Sequence, residues 1–199
     1  MKIEFTPVEV KTTEVLRIFH TKINDPEMDK LIVNEIDKQG DKQNNQTNVK
    51  APMTEWRMMD KPGFSKLRDI ILDACLNISV KFNKTYSPFI MNDMWGMKYQ
   101  SGDHAHLHDH FPSIFSITYY PKIEGDVPTL DFPQANYFVK AEQGLLTIFP
   151  SFMYHGVKKE SWKGTRYCVS ANVFSGIDDR YFEEGFWKAN KSNIIKYDK

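Results

Sequence analysis

The chain has 199 residues, 41% of them hydrophobic and 26% charged. That is enough for one domain with a sizeable core, and too apolar for a disordered chain. Its 26 Lys and Arg balance 26 Asp and Glu, so overall charge gives no case for a nucleic-acid partner or an acidic membrane surface. No run approaches the roughly 20 apolar residues needed to cross a bilayer. The N-terminal MKIEFTPVEV lacks the apolar stretch of a signal peptide. Cys75 and Cys168 read as small buried apolar residues rather than a disulfide or a metal pair. The expectation is a cytoplasmic protein with no membrane partner.

In chain order, residues 1–20 carry scattered β-branched residues (Ile3, Val8, Val10, Val15, Ile18) and suggest one or two short strands. A helix then starts at Asp25 as cap and Pro26 at the first helical position, where a missing N–H is harmless. Met28, Leu31, Ile32 and Ile36 recur at helical spacing, and Gly40 offers a stop. Residues 41–49 are polar and suggest an exposed loop. A second helix opens after Gly63, with Phe64, Leu67, Ile70, Ile71, Ala74, Cys75, Ile78 and Phe82 on one wide face suited to packing on a sheet.

From Tyr86 the pattern changes to short runs rich in Ile, Val, Tyr, Phe and Thr, separated by Gly and Pro. Many short strands at regular spacing suggest a sandwich or barrel rather than βαβ units. The expected organisation is a single domain over 1–199. Residues 1–85 form a strand and helix support region, 86–175 a β core, and 176–199 a peripheral aromatic tail that is a candidate homodimer contact.

Chemistry concentrates in GDHAHLHDHF, where His104, His106, His108 and His110 share one parity. On an extended strand alternate side chains share a face, so all four are expected on one side. Neutral imidazole is a common ligand for iron, zinc, copper and nickel. A third ligand must come from elsewhere, and His155 in IFPSFMYHGV is the candidate.

These pieces together resemble the 2-oxoglutarate/Fe(II) oxygenases of phage and marine bacterial type, over roughly residues 1–175. The matching segments are Gly102-x5-His108-x-His110, then SIFSITYYP, then Gly144-x5-Pro150-x4-His155, then TRYCVSANVF. The resemblance implies a mainly β α+β fold: a double-stranded β-helix, or jelly-roll barrel, packed by N-terminal helices. It implies Fe(II) held by His108, His110 and His155, and 2-oxoglutarate and dioxygen as co-substrates. Arg166 is the expected anchor of the distal 2-oxoglutarate carboxylate, since arginine is always charged and pairs with carboxylates in bidentate fashion. Tyr119, Ser116 and Thr147 are candidates for further hydrogen bonds to that carboxylate.

One departure stands out. The wider superfamily places His-x-Asp or His-x-Glu on the metal strand, whereas no carboxylate follows a histidine by two residues here. The third ligand is His110, Asp109 on a kinked strand, or His106. Two other readings compete. One is a cupin-type three-histidine enzyme, which lacks its expected glutamate at Ile114 or Phe115 and gives Arg166 no role. The other is a non-catalytic β-barrel binding module. Nothing in the chain names the primary substrate.

Overall fold

The computed structural model describes residues 15–38, 47–83 and 88–176. The residues expected to form strands before Val15, the Gly40 stop, most of the polar loop and the tail from 177 onward lie outside these. Helix α1 (Pro26–Lys38) begins as its sequence predicts, with the Met28 N–H donating to Asp25 Oδ1 at 3.0 Å. Helix α2 spans Phe64–Ile78 and continues into a π-helical turn, Ser79–Asn83. Among the described residues no helix is long and apolar enough to cross a membrane.

Among the described residues ten strands follow or flank these helices. They are β1 (Phe19–Lys22), β2 (Val49–Lys50), β3 (Phe89–Tyr99), β4 (His104–His108), β5 (Phe115–Asp126), β6 (Leu130–Phe132), β7 (Tyr137–Val139), β8 (Leu145–Pro150), β9 (His155–Val157) and β10 (Lys163–Ser175). They do not form the barrel implied by the resemblance. They form two open five-stranded antiparallel sheets, ordered β1-β8-β5-β10-β3 and β2-β4-β9-β6-β7. A barrel requires hydrogen bonding to continue around every strand. Here the edge strands β1 and β2 are only four and two residues long, and each pairs on one side only. The free edge of β3 is instead covered by an irregular stretch, with the Thr54 N–H bonded to Gly96 O and the Met58 N–H to Met94 O. Covering an edge in this way blocks pairing with another chain.

Alternation along the strands builds two cores. On β10, Tyr167, Val169, Ala171 and Val173 join Phe115, Ile117, Tyr119, Leu146 and Ile148 in a cluster with Ile32, Phe64, Leu67 and Ile71 of the helices. The opposite face, including Cys168, Tyr120, Phe149 and Trp95, packs against Val49, Ala105, Phe132 and Val157 of the second sheet. The layers are therefore helices, first sheet, second sheet, with both cysteines buried and unbridged. Gly96 sets the helix–sheet approach: a Cβ there would lie 2.4 Å from Ile36 Cγ1.

Two irregularities reset which side chains face the inter-sheet space. Between β10 and β5, Tyr167 pairs with Lys122 and Val169 with Tyr119, so Tyr120 and Pro121 together oppose Cys168. Pro121 has no N–H to give a ladder, and a bulge is where a strand tolerates it. Between β4 and β9, Ala105 pairs with Val157 and His108 with His155, so two residues oppose the single Gly156.

Candidate metal centre

The β4 bulge decides the fate of the histidine run. A regular strand would turn Ala105 and Leu107 to the same side. With one extra residue inserted, Ala105 and His108 line the inter-sheet cavity, while Leu107 is 53% exposed. The bulge passes over Gly156, where a Cβ would lie 3.0 Å from Ala105 O and 3.4 Å from the Leu107 backbone. The expectation that four histidines share one face is thus overturned. His104 and His106 stay together, rings edge to face at 4.9 Å, and border an outer groove with Leu107, Asp131 and Lys158.

His108 ends β4 opposite His155, which begins β9. His110 follows two residues later, its N–H donating to Ser151 O at 2.9 Å and its carbonyl accepting from Ser113 Oγ at 2.7 Å. The three rings converge, with centroids 4.5 Å (His108–His155), 4.9 Å (His108–His110) and 5.0 Å (His110–His155) apart. One ligand atom from each lies within 4.8 Å of the others, and among the described residues this is the one such cluster of His, Cys, Asp or Glu. Asp109 is outside it, accepting the Phe111 N–H at 3.2 Å in a local turn.

The donor set suits a divalent transition metal. His108 Nδ1 lies 2.6 Å from His106 O and His155 Nδ1 2.9 Å from Met153 O. A ring whose Nδ1–H donates to a carbonyl presents a lone pair on Nε2. Burial, then the charge of His108, lowers the His110 pKa to about 4 and the His155 pKa to about 3. Burial also lowers that of His108. All three imidazoles are therefore neutral at physiological pH, as metal binding requires. Trp95 stacks on His110, with centroids 6.0 Å apart and planes 14° apart.

From the histidines a cavity runs between the sheets to Arg166, walled by Tyr99, Thr118, Leu130, Cys168 and Ser170. Among the described residues no carboxylate lines it. Arg166 is 1% exposed. Its guanidinium donates to Tyr120 Oη at 3.1 Å and sits 5.0 and 5.1 Å from the Tyr99 and Tyr120 ring centroids. Its Nε and Nη1 are buried without a hydrogen-bond partner, as is Thr118 Oγ1. Leaving a charged donor unpaired in the interior is costly, and an anion would relieve it.

The other residues expected at this end are placed differently. Tyr119 faces the helices and donates to Asp29 Oδ1, because adjacent residues on a strand point to opposite sides. Tyr120 takes the place beside Arg166. Ser116 belongs to a hydroxyl cluster, bonded to Ser151 Oγ at 3.1 Å. Thr147 is paired in register with Thr118 but bonds His20 Nδ1 at 3.1 Å, and His20 in turn reaches Tyr137 Oη at 3.2 Å. Tyr120, Thr118 and Tyr99 were readable in principle, because their parity with Arg166 across paired strands sets the inward face. That reading requires the β5–β10 bulge to be known.

Beyond the histidines a second opening is bordered by Asn48, Trp56, Trp95, Asp109 and Asn172. Trp56 is 42% exposed and meets Trp95 edge-on at 4.7 Å.

No protein-family model and no curated protein matches the sequence. Solved structures do match in fold. The viral collagen prolyl hydroxylase vCPH of Paramecium Bursaria Chlorella virus-1, in its 2-oxoglutarate complex, aligns over 77% of this chain and 94% of its own, with TM-score 0.57 and 16% identity. A Pseudomonas putida prolyl-4-hydroxylase aligns over 81% and 94%, with TM-score 0.61 and 12% identity. HygX from Streptomyces hygroscopicus, with nickel and 2-oxoglutarate bound, aligns over 81% and 84%, with TM-score 0.62 and 10% identity. The chain thus shares the fold of two prolyl hydroxylases and of HygX, and carries a three-histidine cluster that could hold a metal.

Proposed function

We propose that the protein is a 2-oxoglutarate- and Fe(II)-dependent oxygenase of the phage and marine bacterial type. In this reading His108, His110 and His155 hold the metal and Arg166 anchors the distal carboxylate. The observation that carries it is the buried guanidinium of Arg166, short of partners, at the far end of a cavity that starts at three neutral imidazoles. With a metal ion held by the histidines the cavity would have a cation at each end, which suits a ligand with an anion at each end. 2-Oxoglutarate is such a dianion.

The bound metal would supply a site for dioxygen and for the keto-acid end of 2-oxoglutarate, and oxidising power toward a substrate C–H bond. The chain's own residues do the rest. The imidazoles are kept neutral by burial and offer lone pairs without first losing protons. Arg166 and Tyr120 hold the distal carboxylate, with the buried Thr118 hydroxyl beside them. Tyr99, Leu130 and Cys168 exclude water from the shaft between. The primary substrate would enter past Trp56 and Asp109. A cupin-type enzyme would use the same histidines but leaves Arg166 unexplained, and a non-catalytic module explains neither.

The test is to add Fe(II) and then 2-oxoglutarate to the protein without oxygen and record the visible spectrum. A charge-transfer band that needs both additions is expected, and slow succinate formation on admitting air. If metal binds but no band follows 2-oxoglutarate, the oxygenase reading fails.

A further inference from the structure

Two of the three histidines have a main-chain carbonyl to fix their Nδ1, and His110 does not. Its ring is instead bordered by the side chain of Asn172, close enough to interact with it. Asn172 lies on β10 at a second bulge, this time against β3, where Asn172 pairs with Asp93 and Val173 with Met91. The extra residue lets the Asp93 carboxylate replace part of the ladder. Asp93 Oδ1 accepts the Asn172 N–H at 3.1 Å, and Asp93 Oδ2 accepts from Asn172 Nδ2 at 3.2 Å. With Nδ2 committed to Asp93, the amide can turn in one sense only. Its Oδ1 is buried and has no partner.

We infer that Asn172 is the positioning residue for the third metal ligand. Its Oδ1 accepts the Nδ1–H of His110, selecting the tautomer that presents Nε2 to the metal, and Asp93 holds the amide in that orientation. The assignment rests on His110 being a metal ligand, as proposed above. It has a charge consequence. Where a carboxylate ligand would bring negative charge to the metal directly, this chain keeps its carboxylate two groups away, on Asp93, and conveys it through an amide to a neutral imidazole. Hydrogen-bonded partners of this kind raise ligand basicity, and their loss typically weakens metal binding about 10- to 100-fold.

Zn(II) affinity and the ring N–H protons of the Zn(II)-loaded protein, followed by NMR, test this. The wild type is expected to show three slowly exchanging histidine Nδ1–H signals. Asn172→Leu should bind Zn(II) about 10- to 100-fold more weakly and lose one signal, that of His110, while keeping the other two. The exchanged pair Asp93→Asn with Asn172→Asp keeps every hydrogen bond, with the side-chain bond between 93 and 172 running in the opposite sense, and should restore both affinity and signal. If Asn172→Leu does not fold, Asp93→Asn alone decides: weaker binding with a faster-exchanging His110 proton supports the relay, and wild-type behaviour overturns it. If the wild type binds no metal, the metal-centre reading falls and takes the relay with it. If it binds metal and Asn172→Leu keeps full affinity and all three signals, only the relay falls.

Discussion

Arg166→Met separates a ligand anchor from a structural arginine, because the first role predicts lost binding at nearly constant stability and the second the reverse. Consider first the ligand-free protein. Removing the guanidinium relieves two buried nitrogens without partners, each costing about 1–3 kcal/mol. It forfeits the bond to Tyr120, about 1.5–3 kcal/mol for a charged donor, and two ring contacts worth about 2 kcal/mol each for a desolvated cation. Methionine fills much of the space with flexible apolar atoms. The terms are of similar size, so stability should stay within about 1 kcal/mol of wild type, a shift of no more than about 2–4 °C in Tm. A structural arginine would instead cost about 3–5 kcal/mol on removal. Next consider binding. Truncating one member of a buried charge pair costs about 2–5 kcal/mol, or roughly 30- to 4,000-fold in Kd. Thermal unfolding of the metal-free protein and titration of the anaerobic Fe(II) form with 2-oxoglutarate measure both. A variant that melts far below wild type yet keeps its 2-oxoglutarate affinity would refute the reasoning.

Other outcomes follow from the same geometry. His110 and His155 have pKa values lowered to about 4 and about 3, below an unfolded value of about 6.5. The unfolded chain therefore binds more protons in between, and stability present above about pH 6.5 should fall as pH drops toward 3; metal should stay bound at pH 5 and leave near pH 4, as dialysis with metal analysis would show. His104→Ala with His106→Ala should leave metal affinity within about twofold, since both rings border the outer groove, whereas His108→Ala, His110→Ala or His155→Ala should weaken it by well over tenfold. Tyr119→Phe should lower stability by about 1–3 kcal/mol by taking the donor from Asp29 Oδ1, leaving the buried carboxylate with Gln143 alone, and leave 2-oxoglutarate binding unchanged, while Tyr120→Phe should weaken that binding; denaturant melts and ligand titrations distinguish the two.

The membership of each residue in a helix or a strand is largely a local matter, and there the sequence is a good guide. Asp25 and Pro26 mark the start of α1, the apolar stripe after Gly63 predicts α2, and the change of pattern at Tyr86 comes just before β3. The histidines point to a metal before any coordinate is known, and the family resemblance implies an anion at Arg166. What the chain alone does not decide is which side of a sheet a residue faces. Reading parity along GDHAHLHDHF assumes an unbroken period of two, and a bulge breaks that period. The bulge belongs to two strands at once: it forms because Gly156, some fifty positions away, leaves room for β4 to carry an extra residue. The same holds at Pro121, which helps put Tyr120 rather than Tyr119 beside Arg166, and at Asn172, whose link to Asp93 crosses from β10 to β3. Closure of the sheets is likewise a property of pairing, settled by the shortness of β1 and β2 and by what covers the edge of β3. Local composition determines which elements form; the partner strand determines the phase of each, and the site depends on that phase.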